Sequence, residues 1–190
     1  MTHIALFSSG NGTNAENIAK YFDKSNQIIV AMVVSNNQNA FVHQRAKALE
    51  IPSYSFTKDE IMDSTQLLKL LADHRIDYII LAGFLLKVPE ALIDSYPNRI
   101  INIHPALLPK HGGKGMYGDR VHKKVIEMGD TLSGITIHFV NEKYDEGEII
   151  FQKSCSVLPE DTYEDVAEKV HKLEYAHFPR IIEEVILSEK

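Results

Sequence analysis

Apolar residues in this chain gather in short unbroken runs, separated by longer stretches where they recur at helical spacing. Ile4-Ala-Leu-Phe7, Ile28-Ile-Val-Ala-Met-Val-Val34, Tyr78-Ile-Ile-Leu-Ala82 and Ile100-Ile-Asn-Ile103 are runs of the kind parallel strands show when both faces are covered. Ser53-Tyr-Ser-Phe56 is a weaker strand. Between them, Ile18, Tyr21 and Phe22 share a helical face, and Phe41 to Leu49 reads as a helix closing before Pro52, where the chain must extend. Leu67, Leu68, Leu70, Leu71 and His74 mark another helix, and a short one is expected near Pro89 to Ser95. Strands alternating with helices in this way predict an α/β fold with a mostly parallel sheet.

The pattern changes in the last third. A helix around Val121 to Met128 precedes Gly134-Ile-Thr-Ile-His-Phe-Val140, which alternates like a half-buried strand. A turn at Asp145-Glu-Gly147 and the run Ile149-Ile-Phe151 make this a hairpin. Thr162-Tyr-Glu-Asp165 is close to a capping box and opens a final helix with Val166, Val170 and Leu173 on one face; Pro179 is predicted to break or kink it. The fold class is thus a single-domain, open, mostly parallel twisted sheet flanked by helices, with an antiparallel C-terminal hairpin strand. With 190 residues, 44% of them hydrophobic, the chain can bury one substantial core and is short for two. There is no internal repeat. The one linker-like tract is glycine-rich, His111 to Gly118, and it reads equally as a mobile loop over a site or a long surface turn.

Composition narrows the function classes. A net charge of −6 gives no basic excess, so a nucleic-acid partner is not expected. The single cysteine, Cys155, excludes an internal disulfide framework and a Cys-rich metal site, and reads as an ordinary strand residue. The N-terminus lacks a positive leader and no apolar run reaches the roughly 18 residues of a membrane span, so a cytoplasmic protein with no membrane partner is expected. His3, His43, His74, His122, His138, His171 and His177 have no metal-ligand spacing backed by Cys or paired carboxylates. They read as surface or structural, with His138 on the half-exposed face of its strand. No metal is expected.

Three groups of residues can carry chemistry. Ser9-Gly10-Asn11-Gly12-Thr13-Asn14 lies between strand and helix, where backbone N–H groups and a helix N-terminus hold a phosphate; the loop is neither a dinucleotide fingerprint nor a Walker loop. Asn102 and His104 end a buried strand, and strand alternation points both into one space. Asp145 is the third, although Asp before Glu-Gly is also ordinary turn chemistry. Attack of an amine on a formyl group builds negative charge on the carbonyl oxygen and positive charge on nitrogen, so it needs an oxyanion donor and a proton carrier. Asn102 and protonated His104 supply the first. Free histidine titrates near about 6.5, and Asp145 beside His104 is expected to raise that value and to relay the amine proton through water.

Together with Leu81-Ala-Gly-Phe84, Asn102-Ile-His-Pro-Ala-Leu-Leu-Pro109 and Gly134-Ile-Thr-Ile-His-Phe-Val-Asn-Glu-Lys-Tyr-Asp-Glu-Gly147, these groups resemble the phosphoribosylglycinamide formyltransferases, a family of folate-dependent formyltransferases. The likeness runs through nearly the whole chain. It implies a Rossmann-like formyltransferase domain over 1–190, with an N-terminal half for sugar phosphate and a C-terminal half for folate. It also implies transfer from 10-formyltetrahydrofolate, as co-substrate, to the amine of 5-phosphoribosylglycinamide, without metal or covalent intermediate, by a monomer or homodimer acting on small molecules. By the same resemblance Gly12, Thr13 and Asn14 match phosphate-binding positions, and Gly83 and Glu174 further contacts to that substrate. Leu85, Leu86, Lys87, Val88, Asn102, Asn141 and Asp145 match the folate pocket, and Leu108-Pro109 a cis peptide. Where relatives carry arginines for the folate tail, this chain has Thr65 and Leu86, with Lys87 one residue on, and Lys114 is a candidate replacement charge. Two readings compete: a 10-formyltetrahydrofolate hydrolase or formyltransferase for another amine, and a non-catalytic nucleotide- or folate-binding module.

Overall fold

In the computed structural model, which describes residues 1–188, seven strands form one sheet. Along the chain the elements are β1 (Thr2–Phe7), α1 (Thr13–Phe22), β2 (Ile28–Ser35), α2 (Val42–Ala48), β3 (Ser53–Ser55), α3 (Lys58–Asp63), α4 (Thr65–Asp73), β4 (Tyr78–Leu81), α5 (Glu90–Ser95), β5 (Ile100–His104), α6 (Asp119–Glu127), β6 (Leu132–Phe139), β7 (Ile149–Ser156) and α7 (Tyr163–Ser188). The strand order is β3-β2-β1-β4-β5-β6-β7. Strands β1 to β5 pair in parallel, whereas β6 runs antiparallel to β5 and β7 antiparallel to β6. Among the described residues no helix is long and apolar enough to cross a membrane.

Because successive side chains of a strand point to opposite faces, the sheet divides the core in two. Ile4, Leu6, Ile80, Ile101 and Ile103 pack with α1, α2, α6 and α7 on one face. Ala5, Phe7, Ile79, Leu81 and Ile100 pack with α3, α4 and α5 on the other. The unbroken apolar runs in the sequence are those of strands buried on both sides.

The topology creates the site. From β1 the chain winds outward to β2 and β3, then returns to add β4 and β5 on the other side of β1. The loops leaving β1 and β4 therefore diverge, and open α/β sheets bind ligands in the crevice so formed. The two loops are tied at their base: Ser9 N–H donates to the Gly83 carbonyl at 2.9 Å, and Leu85 N–H to Ser9 Oγ at 2.8 Å.

The structure departs from the sequence-based expectation in two elements. Helix α3 was not anticipated, having Ile61 as its one buried residue; a capping box holds its start, with Thr57 Oγ1 accepting from Glu60 N–H and the Glu60 side chain accepting from Thr57 N–H. Pro179 does not end the last helix, which runs to Ser188. A proline leaves the carbonyl four residues earlier without its helical partner. Here that carbonyl belongs to Tyr175, and it accepts from Asn17 Nδ2 at 3.0 Å. Pro179 itself is buried beside Phe178, Ile181 and Ile182, so packing offsets the missing bond. The Leu108–Pro109 bond is cis, as the resemblance implies.

Candidate active site

A cavity of about 300 Å³ opens at the crevice, lined by Asn14 of α1, the loop after β4, the end of β5, the segment after His111, α6, the end of β6 with the β6–β7 loop, and α7. At one end stands Asn14, in the first turn of α1. This helix starts after Gly12, whose φ of 73° is left-handed and where a Cβ would meet Val42 at 2.4 Å, so only glycine fits. No side chain caps the helix, so its first N–H groups have no side-chain partner. Asn11 is pinned by Arg45, whose Nε donates to the Asn11 carbonyl at 2.8 Å and which also pairs with Glu16. Of Gly12, Thr13 and Asn14, Asn14 alone lines the cavity. Its Nδ2 donates to Glu174 Oε2 at 2.9 Å, joining α1 to α7. Glu174 is buried; burial pushes its carboxyl above the ordinary value, against the Asn14 bond and the charge of His171.

Gly83, Leu85, Leu86, Lys87 and Val88, on the loop after β4, form an adjoining wall with Val140, Asn141, Lys143 and Tyr144. Asn141 is held within its own loop, donating to the Glu146 carbonyl at 3.1 Å and accepting from Lys143 N–H at 3.0 Å. Lys87 and Lys143 line the cavity, whereas Lys114 and Thr65 do not. The cavity draws on both halves of the chain at once, as the Asn14–Glu174 bond shows.

Asn102 and His104, at the end of β5, share a face as alternation requires, and Asp145 approaches them from the β6–β7 loop. Asp145 Oδ2 lies 3.6 Å from His104 Nδ1. It also accepts from Gly113 N–H at 2.9 Å. The other ring nitrogen, His104 Nε2, donates to the His111 carbonyl at 2.8 Å, so Nδ1 is the atom that faces Asp145. Asp145 sits at a left-handed φ of 56°, an uncommon conformation for a non-glycine residue and one that clusters at functional sites.

The expectation that Asp145 raises the His104 pKa is corrected in its net direction. Burial pushes the imidazole down and outweighs the pull of Asp145 and the bond to His111, so His104 lies below the ordinary 6.5. For Asp145, burial acts upward but is outweighed by the neighbouring His138 and His104 rings and the Gly113 N–H, leaving its carboxyl below the ordinary range.

His138 is not half-exposed. It is buried, directly opposite Asn102 in the β5–β6 pairing. Its Nδ1 donates to the Phe139 carbonyl at 2.8 Å, which leaves Nε2 as an acceptor for Asn102 Nδ2 at 3.1 Å, and Nε2 stands 3.7 Å from Asp145 Oδ1. His138 thus orients the asparagine amide. His122 and His171, also read as surface or structural, line the cavity near Glu174, and burial lowers the pKa of His122 to about 4. Among the described residues no group of His, Cys, Asp or Glu is arranged to hold a metal ion.

A switch-point cavity with an uncapped helix N-terminus, an apolar wall and an Asn–His–Asp cluster is an arrangement for group transfer to a small anionic substrate. The family model for formyl transferase matches residues 2–182, and the chain belongs to that family. It is 40% identical over 180 residues to the chloroplastic phosphoribosylglycinamide formyltransferase of Arabidopsis thaliana, an alignment covering 90% of this chain and 62% of the relative. The chain thus spans less than two thirds of that plant protein. It is 33% identical to the phosphoribosylglycinamide formyltransferase of Bacillus subtilis, over 98% of this chain and 95% of the other. The crystal structure of phosphoribosylglycinamide formyltransferase from Streptococcus pneumoniae superposes with a TM-score of 0.87 at 34% identity, covering 98% of this chain and 99% of that one.

Proposed function

We propose that this chain transfers a formyl group from 10-formyltetrahydrofolate to the amine of 5-phosphoribosylglycinamide, a step of purine synthesis, in a reducing compartment such as the cytoplasm. The observation that carries this reading is the meeting of Asn102, His104 and Asp145 in one cavity that also holds Asn14 and Glu174 and the Leu85–Val88 wall. The names of the relatives support the substrate.

In this reading the α1 N-terminus takes the phosphate, with Gly12, Thr13 and Asn14 around it, while Gly83 and Glu174 contact the rest of the amine substrate. Leu85, Leu86, Val88 and Val140 offer an apolar surface to a flat ring, and Lys87 and Asn141 stand at its rim. Asn102 donates one amide hydrogen to His138 and keeps a second for the oxygen that becomes negative. His104, once protonated, carries its added proton on Nδ1 and gives it toward that oxygen; a pKa below the ordinary value makes the ring a readier donor. Asp145 stays ionised, steadies the imidazolium, and accepts the proton of the attacking amine through water; as the carbonyl re-forms, the bond between the formyl carbon and N10 of the folate breaks and N10 takes up a proton, releasing tetrahydrofolate.

The test is loss of the formyl group from 10-formyltetrahydrofolate, followed spectroscopically with and without phosphoribosylglycinamide. Turnover that depends on the amine is expected. Formate release without it would establish a hydrolase instead, and turnover with a different amine alone would displace the assigned substrate.

A further inference from the structure

The turn at residues 111–113 grips both ends of the His104–Asp145 pair through its backbone: the His111 carbonyl accepts from His104 Nε2, and Gly113 N–H donates to Asp145 Oδ2. The position of that turn therefore decides where the two side chains stand. Little in the local chain fixes it. His111 and Gly113 adopt left-handed φ values of 54° and 95°, and Gly115 and Gly118 are also at positive φ. Between His104 and Asp119 the chain forms no helix or strand.

What anchors the turn is the His111 side chain. Its Nε2 lies 2.5 Å from Asp130 Oδ2, in the connection between α6 and β6, and Lys110 Nζ bonds the other carboxylate oxygen at 3.0 Å. The pair is mostly shielded, with side-chain exposures of 11% and 16%. His111, and to a lesser degree Lys110, hold the Asp130 carboxyl below its ordinary range. Both His111 and Asp130 border a second cavity of about 280 Å³, whose lining shares no residue with the first. The His111 imidazole thus does not line the reaction cavity; it acts on His104 from behind, through the backbone carbonyl and through its charge.

We propose that the His111–Asp130 pair is a positioning device: it locks the 111–113 turn and thereby sets the orientation and tautomer of His104 and the place of Asp145. The carbonyl at residue 111 requires a hydrogen on His104 Nε2, which reserves Nδ1 for the proton that the ring gains and gives away. If the turn drifts, the neutral ring is free to carry its hydrogen on Nδ1, directed at Asp145. The inference rests on the proposed formyl transfer for its kinetic readout alone, since the tautomer is observable without turnover.

The experiment compares the wild-type chain with His111→Ala, His111→Gln and Asp130→Asn, each checked for folding by thermal melting. Nitrogen-15 spectra of the histidine rings at about pH 8, above free-histidine titration, report the His104 tautomer, assigned by its loss in His104→Ala. Turnover is measured alongside at varied substrate. Expected are an Nε2–H form in wild type, a mixture of tautomers in folded His111→Ala and Asp130→Asn, and a kcat about tenfold or more lower with KM within about twofold. His111→Gln, which keeps a donor toward Asp130, recovers most of the rate. An unchanged His104 tautomer in folded His111→Ala, or a rate loss that only follows the folded fraction, would overturn the proposal. Absence of wild-type turnover would instead remove the functional reading, with the ring spectra still deciding whether the device exists.

Discussion

At His104 two environments compete, and the outcome shows how far local sequence reaches. That Asn102 and His104 share a face follows from strand alternation alone, and that Asp145 lies in the turn of the following hairpin was legible too. The net pKa was not, because the depth at which His104 is buried is a property of the assembled chain and outweighs the neighbouring carboxylate. His138 is misplaced for a related reason: residues 134–140 alternate like a half-buried strand, but β6 is buried on both faces from Ser133 to His138, and its antiparallel pairing with β5 sets His138 against Asn102. Since the Asp145 carboxylate favours the charged ring, Asp145→Asn is expected to move the His104 titration midpoint further down from wild type. Proton NMR of the ring checks this; an unchanged or higher midpoint would mean that Asp145 does not act on His104 electrostatically.

Among the elements, the last helix carries the clearest lesson. Its start and apolar face are legible from Thr162 to Leu173, but Pro179 reads as a break or kink, and the sequence does not reveal that the helix continues with Asn17, on α1, taking over the stranded Tyr175 carbonyl. Asn17→Ala is expected to cost about 0.5–1.5 kcal/mol by denaturant unfolding. In a Pro179→Ala background the helix supplies its own N–H to Tyr175, so the same substitution should cost measurably less. Equal costs in the two backgrounds would show that Asn17 does not compensate for the proline. Helix α3 shows the opposite failure: the signal, Thr57 and Glu60 three residues apart, was present in the sequence but had too few apolar neighbours to stand out.

For the whole molecule, the alternation of runs and helical segments was enough to give the open α/β sheet and its C-terminal hairpin, because a doubly covered sheet writes its burial into nearly every strand. The pairing order across the switch point, which brings Asn14 against Glu174, is a property of the assembled chain and left no local trace. Assembly also buries histidines. His104, His122 and His177 all lie below the ordinary 6.5, so the unfolded chain binds protons that the folded chain refuses, and these groups lower stability as pH falls from about 6.5 toward 4. Glu174, with a raised pKa, works in the opposite sense, its contribution being lost as pH rises. The melting temperature is therefore expected to drop across that window and to drop less in His122→Asn; an equal slope in the variant would contradict the burial assigned to His122. The central claim is that His104 acts in the chemical step and not in holding substrate. Calorimetric binding of phosphoribosylglycinamide and of a non-reactive folate analogue, set beside turnover in His104→Ala, tests it most directly. The account predicts binding within a few-fold of wild type with turnover lower by about 100-fold or more, and it would be contradicted by turnover that survives the substitution or by a loss fully explained by weaker binding.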